Sequence, residues 1–196
     1  LLMPAWEREG YIGVKMVNVF PQNAEHGLPA IAGVYLLSEG AHGRPLACID
    51  GSELTRRRTA AASALAAREL AREDAETLLV VGTGKLAPMV IEAHAAVRPI
   101  RRVRIWGRSL AKAEALAAEY TDRFDTSAVT DLEAASRQAD IISCVTLSTE
   151  PLIRGAWLAP GTHLDLIGAF RPTMRETDAE CLVRSEVFVD TYAGAR

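Results

Sequence analysis

The sequence predicts an α/β protein, with a doubly wound parallel sheet in its second part and a smaller, partial α+β region ahead of it. Three observations carry this. From Thr77 onward short apolar runs alternate with segments of helical period, and βαβα units of that size build a parallel sheet with helices on both faces. A glycine-rich turn stands between the first of those runs and its helix. The first fifty residues instead read as strands joined by turns, the pattern of a small antiparallel meander.

Taken in order, Tyr11 to Phe20, Ala30 to Leu37 and Pro45 to Ile49 are extended runs rich in β-branched and apolar residues. Between them lie the turn sequences Pro21-Gln22-Asn23, Gly27 and Gly40-Ala41-His42-Gly43-Arg44. Glu53 to about Arg72 is rich in alanine and lacks Gly and Pro, so it reads as a helix that can approach a neighbouring element closely. Then come a strand at Thr77–Val81, a helix at Leu86–Val97, a strand at Arg101–Trp106 and a helix at Leu110–Tyr120. A strand at Ser127–Thr130, a helix at Leu132–Gln138 and strands at Asp140–Val145, Thr162–Ile167 and Val187–Val189 complete the expected set.

Composition narrows the function classes. The 196 residues include 22 Lys and Arg against 25 Asp and Glu, a net charge of −3, which disfavours nucleic-acid binding through bulk charge. No apolar run approaches the roughly 20 residues that span a bilayer, so a cytoplasmic location is the default expectation. Cys48, Cys144 and Cys181 are odd in number and lack CxxC spacing. They read as three buried thiols in a reducing compartment rather than a disulfide framework or a zinc site. The four histidines, His26, His42, His94 and His163, show no metal-ligand spacing and read as structural.

The motif with most chemical content is Val80-Val81-Gly82-Thr83-Gly84-Lys85-Leu86-Ala87, which fits G-x-G-x-x-[GA]. Gly82 permits a tight turn, Gly84 lets backbone approach a pyrophosphate, and Ala87 keeps the helix near the strand. Free N–H groups and the positive dipole end of the helix favour the anion. Such a turn also occurs without a ligand; the strand before it and the helix after it are what point to a dinucleotide. At the end of the next strand an NAD site places a carboxylate for the ribose hydroxyls, whereas this chain has Gly107-Arg108-Ser109. Arg108 and Ser109 suit a 2′-phosphate, which makes NADPH the expected cofactor, with NADH the alternative. A solvated surface arginine is the plainer reading of Arg108.

Lysine is scarce, and one of the three, Lys15, falls inside a strand on the face shared with Tyr11, Val17 and Val19. A charge there suits an anionic ligand, or else the side chain snorkels at a sheet edge. The run Arg56-Arg57-Arg58 opens the alanine-rich helix against its dipole, so an anion would account for at least one of the three.

Taken together the residues resemble the ornithine cyclodeaminase/mu-crystallin family. The segments that carry the likeness are Gly13-Val14-Lys15 through Pro21-Gln22-Asn23, Gly27-Leu28-Pro29, Arg58-Thr59-Ala60-Ala61-Ala62-Ser63, Gly82 to Ala87, and Gly161-Thr162-His163-Leu164-Asp165-Leu166-Ile167-Gly168-Ala169. The resemblance implies a homodimer, with a substrate and dimerisation domain followed by a Rossmann domain. It places residues 1–72 in a partial first domain with its linking helix and 73–196 in the second, the chain being cut at both ends.

It also implies that Lys15 and Arg58 line the substrate site as catalytic and substrate-binding residues, with Thr59 a further hydrogen-bond donor there; the turn motif and strand end already assign Gly82, Thr83, Gly84, Lys85, Leu86, Ala87, Arg108 and Ser109 to the cofactor, and no metal is expected. Cyclodeaminases carry a catalytic aspartate where this chain has Phe170, and an acidic residue near Gly107-Arg108. Those departures, Leu86, and the segments Val145–Leu152 and Ala169–Glu176 are similar to the Δ1-pyrroline-2-carboxylate reductase branch. The implied activity is NAD(P)H-dependent reduction of Δ1-pyrroline-2-carboxylate to L-proline, or of Δ1-piperideine-2-carboxylate to L-pipecolate. The alternatives are an NAD-dependent ornithine cyclodeaminase, an amino-acid dehydrogenase, and a mu-crystallin-like NADPH-binding protein without turnover.

Overall fold

A computed structural model describes residues 1–29, 31–169 and 171–192. The chain divides into two compact units, Leu1–Thr59 and Ala60–Arg196.

The first unit holds an antiparallel sheet of four strands in chain order: β1 (Leu2–Trp6), β2 (Tyr11–Val19), β3 (Ile31–Glu39) and β4 (Pro45–Asp50). Three were expected. The additional strand, β1, contains Pro4, which breaks the strand signal in the sequence; it is tolerated because β1 lies at the sheet edge, where a missing N–H need not break a ladder. Ala30, the first residue of one expected strand, lies outside the described residues. Strand alternation puts Gly13, Lys15 and Val17 on one face. Ile12, Val14 and Met16 take the other, beside the paired residues Trp6, Leu36 and Leu2.

Helix α1 (Gly51–Leu70) starts two residues earlier than the composition suggested, because Asp50 caps it. Its Oδ1 accepts from the N–H groups of Ser52 and Glu53, both at 2.8 Å. Those two bonds hold the Asp50 carboxyl below its ordinary range.

The second unit is the expected Rossmann-type sheet. Its five parallel strands are β5 (Thr77–Val81), β6 (Arg102–Trp106), β7 (Asp125–Ala128), β8 (Ile141–Cys144) and β9 (His163–Leu166), in the order β7-β6-β5-β8-β9. Helices α2 (Ala87–Val97), α3 (Leu110–Ala118) and α4 (Leu132–Gln138) alternate with them, and a short α5 (Ala179–Val183) follows. Two apolar clusters flank the sheet. Leu78, Val80 and Ile141 point into one with α2, α3 and the end of α1; Leu79, Val81, Ile142 and Cys144 point into the other with α4. Burying each of these aliphatic side chains is worth about 1.5–3 kcal/mol.

Two expectations fail. Val187–Val189 is apolar, but it pairs with no strand among the described residues and is irregular and exposed. Cys144 and Cys181 are buried, as expected, whereas Cys48 is exposed on β4. Burial pushes the Cys144 thiol far up and that of Cys181 to about 12, so neither is a ready nucleophile.

Candidate functional site

In this order of parallel strands the chain direction across the sheet reverses between β5 and β8, and open α/β sheets bind ligands in the crevice beyond the strand ends at such a point. The glycine turn leaves β5 there. Gly82 has φ of +127°, a conformation that side chains rarely adopt, and a Cβ on it would stand 2.9 Å from both Cγ2 and the carbonyl oxygen of Val145, just beyond β8. Its N–H donates to the Trp106 carbonyl at 2.8 Å, which ties the turn to the end of β6. Gly84 is exposed, and a Cβ there would meet only open space.

The start of α2 fits an anion as well. No side chain caps its first turn, and Ala87 is fully buried, which leaves no gap between helix and strand. Thr83 is half-buried against Gly107, whose Cβ would lie 2.7 Å from the Thr83 methyl; Lys85 is exposed and Leu86 precedes the helix. The turn after β5 and the turn after β6 therefore touch. Arg108 extends from the second of them, exposed and with no ion-pair partner among the described residues. Ser109 starts α3 with its hydroxyl uncommitted to the helix. The structure thus gathers Gly82–Ala87, Arg108 and Ser109 at one edge of the second unit.

In the first unit, Lys15 and Arg58 come together. Lys15 projects from β2, and its Nζ donates to Thr55 Oγ1 at 2.5 Å, while that hydroxyl donates to the Gly51 carbonyl at 2.6 Å. Partial burial, followed by the charge of Arg58, holds the Lys15 ammonium below its ordinary range. The neighbouring arginines are already paired: Arg56 and Arg57 both bind Glu53, the latter at 2.7 Å. One protein carboxylate thus accounts for two members of the run that seemed to call for an anion. Arg58 has no such partner among the described residues, and neither has Lys15. Thr59 follows in α1, half-buried.

Sequence reasoning missed Thr55, forty residues from Lys15 in the chain, although its place one helical turn before Arg58 was a usable signal. Phe170, read as a departure from the cyclodeaminase pattern, lies outside the described residues.

The histidines differ in burial. His26 and His42 are exposed, His94 is fully buried, and His163 is half-buried with its Nε2 enclosed. His94 Nε2 stands 3.5 Å from Asp165 Oδ2, too far for a well-formed hydrogen bond, whereas Ser143 Oγ donates to that oxygen at 2.6 Å. Burial drives the Asp165 carboxyl up, but His94, Ser143 and Ser63 together outweigh it and leave it below its ordinary range. Among the described residues no group of three or more His, Cys, Asp or Glu could hold a metal ion, and no helix is long and apolar enough to cross a membrane.

Comparison with known proteins adds the following. The model of the family described as "Ornithine cyclodeaminase/mu-crystallin family" matches residues 1–196. A Δ1-pyrroline-2-carboxylate reductase of Paracoccus denitrificans is 45% identical over 191 residues, covering 95% of this chain and 60% of that protein. The fold superposes on an archaeal alanine dehydrogenase, described as a dimer with bound NAD, with a TM-score of 0.90 and 33% identity over 99% of this chain and 60% of the other. It also superposes on the Thermococcus litoralis Δ1-pyrroline-2-carboxylate reductase in complex with NADH and L-proline, with a TM-score of 0.78 and 28% identity over 92% of this chain and 61% of the other. The chain spans about 60% of the length of the curated relatives it matches.

Proposed function

Because the chain belongs to the ornithine cyclodeaminase/mu-crystallin family, we propose that it serves an NAD(P)H-dependent reductase of cyclic ketimine carboxylates. The reaction is reduction of Δ1-pyrroline-2-carboxylate to L-proline, with the six-membered homologue as a second substrate. The observation that carries this reading is the approach of Lys15 to Arg58, two cations with no carboxylate partner among the described residues, one of them with a lowered pKa.

Such a pair suits a small anionic substrate that also needs a proton. Arg58 holds the substrate carboxylate, with Thr59 as a hydrogen-bond donor. Lys15, desolvated and facing a second cation, gives up its proton more readily than a free lysine and delivers it to the ring nitrogen, directly or through water. Thr55 holds the ammonium on one side. A dinucleotide held at the glycine turn would supply the hydride for reduction of a C=N carbon. The features that fit it are the positive φ of Gly82, the open face of Gly84 and the uncapped start of α2. Arg108 and Ser109 favour NADPH over NADH.

On the same reading residues 1–72 belong to a substrate and dimerisation domain and 73–196 to the dinucleotide domain. A second copy covers the exposed apolar face around Trp6, Met16 and Leu36. A small-molecule partner, a homodimer and a cytoplasmic setting, where reduced cofactor is at hand, go together.

The test is NADPH oxidation by the purified full-length protein with Δ1-pyrroline-2-carboxylate, Δ1-piperideine-2-carboxylate, ornithine, and pyruvate with ammonia. Oxidation with the cyclic imines is expected, and Arg58→Ala and Lys15→Ala should each lower kcat/KM by about 10- to 100-fold, the worth of a charge-assisted contact. Ammonia release from ornithine without added NADPH would replace the reading by a cyclodeaminase. Tight NADPH binding with no turnover of any substrate would replace it by a binding protein.

A further inference from the structure

Glu176 is 2% exposed, and none of the roles proposed above uses it. Its carboxylate takes three hydrogen bonds from two separate loops. Oε1 accepts from the Thr146 N–H and the Thr146 hydroxyl, both at 2.7 Å, and Oε2 accepts from the Gly168 N–H at 2.9 Å. Among the described residues no Lys or Arg pairs with it; its charge is met by two backbone dipoles and one hydroxyl.

The side chain is aimed by its own backbone. The Glu176 carbonyl accepts from the N–H groups of Leu152 and Ile153 at 2.9 and 3.0 Å, Arg175 N–H donates to the Ser148 carbonyl at 2.7 Å, and Thr177 bridges to Ile153. The segment is therefore strapped down on both sides of the carboxylate.

Burying a carboxylate costs several kcal/mol before its bonds are counted, and an apolar side chain would fill the same space more cheaply. What the carboxylate adds is a connection. Thr146 lies two residues beyond β8 and Gly168 two residues beyond β9, so one side chain joins the loops that leave the carboxyl ends of adjacent strands. The two loops meet so closely that a Cβ on Gly168 would fall 1.9 Å from the Thr146 carbonyl oxygen and 2.5 Å from Glu176 Oε1. The next residue back, Val145, is the one against which Gly82 packs. The contacts run from Glu176 through Thr146 and Val145 to the glycine turn.

We propose that Glu176 is a positioning residue for the dinucleotide: by clamping the loops after β8 and β9 it fixes the wall of the crevice that faces the Gly82 turn. The inference rests on the reading of that turn as a cofactor site. Glu176→Gln keeps the shape but replaces one acceptor oxygen by an NH2 group, which then faces an N–H donor and leaves it unpaired.

The experiment measures Kd for NADPH and NADH by fluorescence titration without substrate, together with the KM of the imine at saturating cofactor and the unfolding midpoint. For Glu176→Gln, Kd for both dinucleotides is expected to rise about tenfold, the worth of a lost charge-assisted bond, with imine KM within about twofold of its starting value on the same scale. Glu176→Asp, which retains the charge but reaches less far, should fall between the two.

A lowered unfolding midpoint with unchanged Kd would mean that Glu176 is only structural and would overturn the proposal, as would equal rises in Kd and imine KM. If Glu176→Gln does not fold, Thr146→Val removes the hydroxyl bond alone; a rise in Kd of about threefold supports the clamp and an unchanged Kd overturns it. Failure of the unmodified protein to bind either dinucleotide would instead remove the cofactor reading itself, and this inference with it.

Discussion

The two sheets differ in how far each buries itself. In the second unit every residue of β5 and β8 is buried, because helices cover both faces. In the first unit only Gly13 is buried among the four strands, and Leu2, Trp6, Ile12, Met16 and Leu36 remain exposed on one face. A parallel sheet must be covered on both sides by its own crossovers, whereas an antiparallel one can leave a face open. The second unit thus carries its own core, and the first presents an apolar surface larger than scattered exposed residues would give.

Breaking that contrast gives the largest expected effect. Ile142→Ala, in the middle of β8 and fully buried, should destabilise by about 2–5 kcal/mol in urea unfolding, from lost transfer energy and the cavity left behind. Leu36→Ala should change monomer stability by less than about 0.5 kcal/mol. If a second copy covers that face, Leu36→Asp should shift sedimentation toward the monomer while leaving the far-UV spectrum intact. An unfolding midpoint as low for Leu36→Ala as for Ile142→Ala would remove the distinction.

The contrast also governs what could be read from the sequence. Thr77–Val81 and Leu132–Gln138 are found within the bounds that pattern and composition suggested, because continuous burial makes a strand apolar throughout and an Asp caps α4. In the exposed sheet the signal is weaker. Pro4 and the missing alternation conceal β1, while Val187–Val189 looks like a strand but has no partner to pair with among the described residues. At the candidate site the glycine turn was legible because its positions answer to local backbone geometry. Part of the first unit's site was not. The ion pairs of Glu53 with Arg56 and Arg57 follow helical spacing and could have been anticipated. The bond from Lys15 to Thr55 and the clamp of Glu176 join residues distant in the chain, and no periodicity announces them.

A second, smaller effect tests the edge of the second unit proposed to hold the cofactor. Arg108 is exposed and has no ion-pair partner among the described residues, so Arg108→Asp should leave stability almost unchanged. It should raise KM for NADPH by about 10- to 100-fold, through loss of a charge-assisted contact to the 2′-phosphate and repulsion by the new carboxylate. KM for NADH should move little or fall, since the aspartate can accept from the ribose hydroxyls. Equal changes for both cofactors would take Arg108 out of the site.

The smallest expected effect is a pH dependence confined to the second unit. Burial lowers the His163 pKa from 6.5; Asp165 opposes this, while His94 and Arg98 add to it, and His163 Nε2 is buried with no hydrogen-bond partner among the described residues. The folded state therefore prefers the neutral ring, and below pH 6.5 the unfolded chain takes up a proton that the folded one resists. Stability from this group is complete above pH 6.5 and declines as pH falls toward the folded-state pKa, with a slope of at most about 1.4 kcal/mol per pH unit. Asp165, lowered from 3.8, keeps its contribution through that window and loses it only in stronger acid, below its unfolded value. Urea unfolding between pH 7.5 and 3 should show the decline, and His163→Gln, which cannot titrate, should flatten its upper part while leaving the loss below pH 3.8 in place. A slope that survives His163→Gln would assign the window to a group other than this ring.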